Sequence, residues 1–216
     1  MPVSPVIVFD LGKVLVDFDY SIAARRIAAR CRKSLGAIKP LLEQSRFILD
    51  YESGRLTRRE FFEHVRNLSG YRGTMEEFGA AFADIFSPIP PMIQLHAALR
   101  HRNLATWIFS NTNDLAVERI RRNFPFFQNF DGYVFSYEVG AMKPAAKIYE
   151  ALERASGRRG ADIIYLDDRP ENVTGGAARG WRAFLHETPE KTRAAIERLL
   201  PSDEGRNLAP RRASQP

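Results

Sequence analysis

Cysteine is nearly absent from this 216-residue chain: Cys31 stands alone. That excludes a disulfide framework and any zinc site built from several thiolates, and the lone thiol is expected to be buried. No apolar run approaches the roughly 20 residues needed to span a bilayer, so no membrane helix is expected. A secretory leader is not expected either, because the first apolar stretch, Val6–Phe9, stops at Asp10 and has no basic lead. The expected location is the cytoplasm. Four histidines, His64, His96, His101 and His186, are too scattered for a metal pair or a catalytic triad. No internal repeat and no nucleic-acid motif is present.

Lysine is scarce too, with six residues against 26 arginines in a chain of formal net charge +6. Arg25, Arg26, Arg30, Arg32 and Lys33 are expected on one helix, Arg119, Arg121 and Arg122 on another, and Arg158 and Arg159 in a loop. These cations are scattered and have no aromatic stacking platform beside them, so they read as solvated faces and not as a nucleic-acid surface. The chain is 44% hydrophobic and 27% charged, as ordinary globular proteins are. At roughly 150 residues per domain, its length allows one core and an accessory module.

The core is legible as short apolar runs alternating with helical patterns. Val6–Phe9, Leu104–Phe109, Tyr133–Phe135, Ile163–Leu166 and, more weakly, Arg182–Leu185 read as strands. Between them, Asp114–Phe124 carries Val117, Ile120 and Phe124 at helical spacing. A helix opening with Pro144 carries Ile148, Leu152 and Ala155, and Thr188-Pro189-Glu190 opens a last one. This alternation predicts an α/β fold, a Rossmann-like parallel sheet with helices on both faces.

Residues 19–87 break the pattern. No strand is evident there, but Thr57–Glu60 and Thr74–Glu77 are capping boxes that open helices bearing Phe61, Phe62, Val65 and Leu68, then Phe78, Ala81, Phe82 and Ile85. An insertion after the first strand sits over that strand's carboxyl end, where open α/β sheets bind ligands. The expected organisation is therefore a core of residues 1–18 and 88–201 with a helical cap of residues 19–87 between. The three prolines in Ser87–Pro91 mark the return to the core, and residues 202–216 are expected to form a disordered tail.

Chemistry-bearing residues follow the strands. They are Asp10-Leu11-Gly12-Lys13, Ser110-Asn111-Thr112-Asn113, Gly140-Ala141-Met142-Lys143-Pro144 and Asp167-Asp168-Arg169-Pro170. In a parallel sheet these converge on one edge. Carboxylates, a hydroxyl beside a helix start and one lysine suit phosphoryl transfer, with a carboxylate as nucleophile, an oxygen-seeking Mg²⁺ and donors for the phosphoryl oxygens.

With these four segments the chain resembles the haloacid dehalogenase (HAD) superfamily, in the subgroup with a helical cap after the first strand. Tyr51-Glu52-Ser53-Gly54-Arg55-Leu56-Thr57 followed by Phe61 is similar to the cap segment of sugar-phosphatase-like relatives. The resemblance implies Asp10 as nucleophile and metal ligand, and Gly12 lending its backbone carbonyl to Mg²⁺. It implies Ser110 and Asn111 at the phosphoryl group, Lys143 balancing its charge, and Asp168 completing the metal site with Asp167 directly or through water. The implied activity is Mg²⁺-dependent hydrolysis of a small phosphorylated metabolite, such as a sugar phosphate, through an aspartyl-phosphate on Asp10.

One position departs from the pattern. Typical phosphatases of the superfamily carry an acid/base Asp two residues after the nucleophile, where this chain has Gly12. A general acid/base contributes about 10²–10⁴ in rate, so Gly12 alone predicts activity confined to leaving groups that need little protonation, such as aryl or anomeric sugar phosphates. Lys13 and Asp17 are candidate substitutes. Two other readings stay open: a metal-independent dehalogenase, for which Asp167-Asp168 would have no use, and a protein that binds a phosphorylated ligand or a partner without turnover.

Overall fold

A computed structural model describes residues 4–200 of the chain. The expected tail at 202–216 lies outside the described residues. In chain order the elements are β1 (Val6–Phe9), β2 (Val16–Phe18), five helices α1 (Tyr20–Ala28), α2 (Leu35–Glu43), α3 (Arg46–Glu52), α4 (Arg58–Ser69) and α5 (Met75–Ala83), then β3 (Phe86–Pro88). There follow α6 (Pro90–His101), β4 (Ala105–Ser110), α7 (Asp114–Asn123), β5 (Gly132–Phe135), a short α8 (Ser136–Val139) and α9 (Ala146–Ser156). The last are β6 (Ile163–Asp167), α10 (Pro170–Ala177), β7 (Arg182–Leu185) and α11 (Pro189–Leu199).

All five expected strands form, and they make one parallel sheet of order β5-β4-β1-β6-β7. β1 is central and pairs Val6 with Ala105 on one side and with Ile163 on the other. Its four residues are all buried, and the two-residue period of a strand divides them between the faces. Ile7 and Phe9 pack with Met92 and Leu95 of α6, Val117 and Ile120 of α7, and Ile196 of α11. Val6 and Val8 pack with Ile148, Tyr149 and Leu152 of α9 and with Trp181. Helices on both faces explain why the strands read as unbroken apolar runs.

Helices α1–α5 enclose an apolar cluster of their own around Phe61, Phe62, Val65, Phe78 and Phe82. Both capping boxes close reciprocally, Thr57 with Glu60 and Thr74 with Glu77. Leu115 of α7 joins this cluster, so the core and the inserted helices share an apolar contact.

Several local expectations are revised. β2 and β3 form an antiparallel pair, Val16 opposite Pro88 and Phe18 opposite Phe86; β3 begins inside residues 19–87, where no strand is expected, because three residues are too few for a period to be legible. Arg30, Arg32 and Lys33 lie beyond the end of α1 in a loop. The α4–α5 connection captures that loop, with Arg32 N–H donating to Ser69 O and Arg72 N–H to Arg30 O. Cys31 is half-buried, its thiol donating to Ile27 O at 3.1 Å. Leu68 and Ala155 face solvent. The helix expected to open at Pro144 begins at Ala146, and the Lys143–Pro144 peptide is cis and outside it.

Phe61 is fully buried and stacks on Tyr51 with ring centroids 4.7 Å apart. Phe61→Ala is expected to cost about 3–5 kcal/mol. Urea denaturation checks this, and an unchanged midpoint would deny the inserted helices a cooperative core.

Candidate active site

Parallel strands end on a common edge, so β1, β4 and β6 deliver Asp10, Ser110 and the Asp167-Asp168 pair to one place. The turn before α9 brings Lys143 to meet them. Asn111 sets that turn. Its Oδ1 accepts from Lys143 N–H at 2.7 Å and its Nδ2 donates to Lys143 O at 3.0 Å. This two-point grip holds Lys143 out of the helix and explains the later helix start.

The Lys143 side chain is almost wholly buried. Its Nζ lies 3.0 Å from Asp10 Oδ1 and 2.6 Å from Asp167 Oδ2, and donates to Phe109 O at 2.8 Å. Asp167 also accepts from the Tyr165 hydroxyl, from Arg169 N–H at 2.8 Å and from Asn172 Nδ2 at 3.0 Å. Burial pushes the Asp10 carboxyl well above its ordinary value; Lys143 opposes the shift and Asp167 adds to it. Burial works against the Lys143 ammonium, yet its two carboxylates hold the proton more firmly than in an ordinary lysine. Asp167 is also desolvated, but Lys143 outweighs this and keeps it acidic. Asp168 is raised by burial and by Asp167.

Asp10, Asp167 and Asp168 each bring an oxygen within 4.8 Å of the others. Three carboxylates at that spacing repel one another, and an all-oxygen donor set suits a hard divalent cation. The buried Oδ1 of Asn172 has no partner, an acceptor that a hydrated cation would satisfy. The donors present therefore fit a magnesium ion.

Asp10, Gly12, Ser110, Asn111, Lys143 and Asp168 line one cavity of about 550 Å³. Asp167 lies behind it, fully buried. The opposite wall carries Asp19, Tyr20, Glu43, Gln44 and Glu52. Of the two candidate substitutes for the missing acid at position 12, Lys13 lines the cavity, but its ammonium is tied to Asp17, an exposed residue of β2. The space beside Gly12 is crowded by the Phe18 ring, 2.9 Å from where a Cβ would stand.

Glu52 was not among the site residues read from the sequence, although the Tyr51-Glu52-Ser53-Gly54 segment that contains it was. Its segment is fastened to the core. The Tyr51 hydroxyl donates to Asp114, and Ser136 Oγ donates to Glu52 O at 2.5 Å. Gly54, at φ +71°, passes so close to Tyr137 O that a Cβ would lie 2.2 Å from it. Burial lifts the Glu52 carboxyl to about 7, with Arg169 opposing. Phe18, Arg169 and Asn172 line the cavity as well and carried no distinguishing signal in the sequence.

A family model described as haloacid dehalogenase-like hydrolase matches residues 5–180. A D-ribitol-5-phosphate phosphatase of Bacteroides thetaiotaomicron is 24% identical over 202 residues, which is 91% of this chain and 98% of that protein. A pyrimidine 5'-nucleotidase of Escherichia coli is 29% identical over 155 residues, 66% of this chain and 68% of its own length. The crystal structure of a HAD family enzyme from B. thetaiotaomicron, in complex with magnesium and inorganic phosphate, has a TM-score of 0.74 at 20% identity, covering 84% of this chain and 93% of that one. That last likeness is one of fold.

Lys143→Met should cost about 3–5 kcal/mol at pH 8, because it strands two buried carboxylates. The loss should shrink at pH 5, where protonation neutralises them; equal losses at both pH values would mean that Lys143 is not balancing charge. For Glu52 the raised proton affinity makes its stability contribution complete below about pH 4.5 and lost as the pH climbs to about 7. The melting temperature of Glu52→Gln, relative to the unsubstituted protein, should therefore rise across that window and level off above it.

Proposed function

The chain belongs to the haloacid dehalogenase-like hydrolase family, and from there we propose that it is a phosphatase releasing phosphate from a small polyhydroxylated phosphomonoester by way of Asp10. The observation that carries this reading is Lys143 buried between Asp10 and Asp167, which with Asp168 make a cluster of three carboxylates. Asp10, Asp168 and the Gly12 carbonyl would hold Mg²⁺, with Asp167 behind them. When bound, the ion supplies charge neutralisation at the phosphoryl oxygens and at Asp10.

Each residue then has a task. Asp10 attacks phosphorus through a carboxylate oxygen, and the bond from phosphorus to the leaving oxygen breaks. Leu11 N–H donates to Asp10 Oδ1 at 2.7 Å and orients the carboxylate. Lys143 balances the negative charge that gathers on the phosphoryl group, assisted by Ser110 and Asn111. Asp167, fixed by Tyr165 and Asn172, keeps the Lys143 ammonium aimed. The helices of residues 19–87 act as the cap that covers the leaving group. A dehalogenase would have no use for Asp168, and three clustered carboxylates are unfavourable without a cation.

The cavity wall also supports a substrate class. Among the described residues, those that α1–α3 and the turn before α1 place on it are Asp19, Tyr20, Glu43, Gln44, Ile48, Leu49 and Glu52, with no cation among them. Such a wall accepts hydrogen bonds from hydroxyls and disfavours a second phosphate placed against it, while the cations of the cavity, Lys13, Lys143 and Arg169, stand on the core side. A sugar or polyol monophosphate suits it, in keeping with the likeness to a D-ribitol-5-phosphate phosphatase.

Phosphate release from pentitol, sugar, nucleotide and aryl monophosphates, and from sugar bisphosphates, tests this. Release should require Mg²⁺, stop with EDTA, return when Mg²⁺ is restored and vanish in Asp10→Asn. Polyol and sugar monophosphates should lead in kcat/KM and bisphosphates should trail. Release by Asp10→Asn, or release unaffected by EDTA, would refute the reading.

A further inference from the structure

Gly12 leaves the proposed reaction without the carboxylate that should protonate the leaving oxygen and activate water. The Phe18 ring crowds the position as well, since a Cβ at Gly12 would lie 2.9 Å from it and the ring would have to shift. We propose that Glu52, at the C-terminal end of α3, is the proton donor and acceptor of the hydrolysis, delivered from the inserted helices across the cavity from Asp10. The inference rests on the phosphatase reading above.

Three observations single out Glu52 among the acids on the wall. Glu52 lines the cavity that also holds Asp10, Ser110 and Lys143, and a smaller recess formed by Gly12, Phe18, Tyr20 and Ser110 to Asn113. It therefore borders the space beside Gly12 itself. The other acids on that wall are engaged: both Asp19 oxygens accept from Ser21, and Glu43 lies 3.7 Å from Lys39. Among the described residues no donor hydrogen-bonds the Glu52 carboxyl, while its backbone is held by Ser136, Tyr51 before it is bound to Asp114, and Gly54 after it passes close to Tyr137 O. A carboxyl with a fixed backbone and uncommitted oxygens is poised for a ligand.

Arg169 after β6 and Tyr20 of α1 interact with it electrostatically, and the other charged groups of the cavity are Asp10, Lys13, Asp19, Glu43, Lys143 and Asp168. Desolvation lifts Glu52 to about 7, near the pH at which one group can both give and take a proton efficiently.

The protons balance. In the first half-reaction Asp10 bonds to phosphorus, the leaving oxygen departs with its electron pair, and protonated Glu52 gives that oxygen its proton. In the second, ionised Glu52 takes a proton from water as the water oxygen bonds to phosphorus. The phosphorus bond to Asp10 then breaks and returns Asp10 as a carboxylate. Phosphate leaves and Glu52 is protonated again. With Glu52 in that role, hydrolysis is not confined to the acidic leaving groups that Gly12 alone would require.

The test uses the full chain with Mg²⁺, a pentitol phosphate as the alkyl substrate and p-nitrophenyl phosphate as the aryl one. The unsubstituted protein should hydrolyse both in an Asp10-dependent way with comparable kcat/KM. Glu52→Gln should lose about 10²–10⁴ on the alkyl substrate and far less on aryl release. With the aryl ester it should give a burst of p-nitrophenol and hold one phosphoryl group on Asp10, visible by intact mass spectrometry. Glu52→Asp should recover part of the alkyl rate. The proposal is overturned if Glu52→Gln keeps the alkyl-to-aryl ratio of the unsubstituted protein. It is also overturned if the unsubstituted protein already discriminates steeply against the alkyl ester, a measurement that needs no variant to fold. Absence of Asp10-dependent release from every substrate would instead sink the phosphatase reading, and this inference with it.

Discussion

A single buried ammonium organises this protein. Lys143 meets Asp10 from β1 and Asp167 from β6 while donating to the last carbonyl but one of β4. Three adjacent strands must therefore end in register for the charge to be satisfied. An ion buried this deeply is unfavourable unless every partner is in place, so the sheet order and the strand ends are bound to the same requirement as the chemistry. Asn111 contributes by gripping the Lys143 backbone at two points, and Tyr165 and Asn172 by holding Asp167. The site is a consequence of how the strands stop.

The inserted helices are registered on this platform by contacts that are individually modest. Arg58 reaches Asp114 and Glu118, and pairs so exposed contribute at most about 1 kcal/mol each. The Tyr51 hydroxyl, the Ser136 bond to Glu52 O and the close approach of Gly54 to Tyr137 add direction. Together they fix where the end of α3 sits, and so which of its side chains line the cavity. Phe18 performs the opposite service from the core side by filling the space above Gly12. The same short β2–β3 pair that returns the chain to the core thus also shapes the pocket.

Much of this was legible in the residues. Val6–Phe9 and Ile163–Leu166 are unbroken apolar runs because both sheet faces are covered, and Thr57–Glu60 and Thr74–Glu77 announce helix starts because a reciprocal cap needs those residues at that spacing. The convergence of Asp10, Ser110 and Asp168 was legible because each stands at or just beyond the end of a strand and the topology brings parallel strand ends together, whereas Lys143 arrives from the turn between α8 and α9. Less legible were features set by contacts distant in sequence. The α9 start moved from Pro144 to Ala146 because Asn111, 32 positions away, captures Lys143. Cys31 and the loop around it follow from the α4–α5 connection.

The sequence by itself determined the fold class, the strand ends and the set of groups that could meet a phosphoryl ester, because hydrophobic period and strand-end chemistry are local properties. Only the tertiary structure decided what stands across from them. Whether Asp167 touches the pocket or backs Lys143, whether Lys13 and Asp17 are free or tied to each other, and which ring closes over Gly12 all depend on elements packed together from separate parts of the chain. The same packing places Glu52 beside the space that a side chain at position 12 would have filled, because only folding brings α3 over the end of β1.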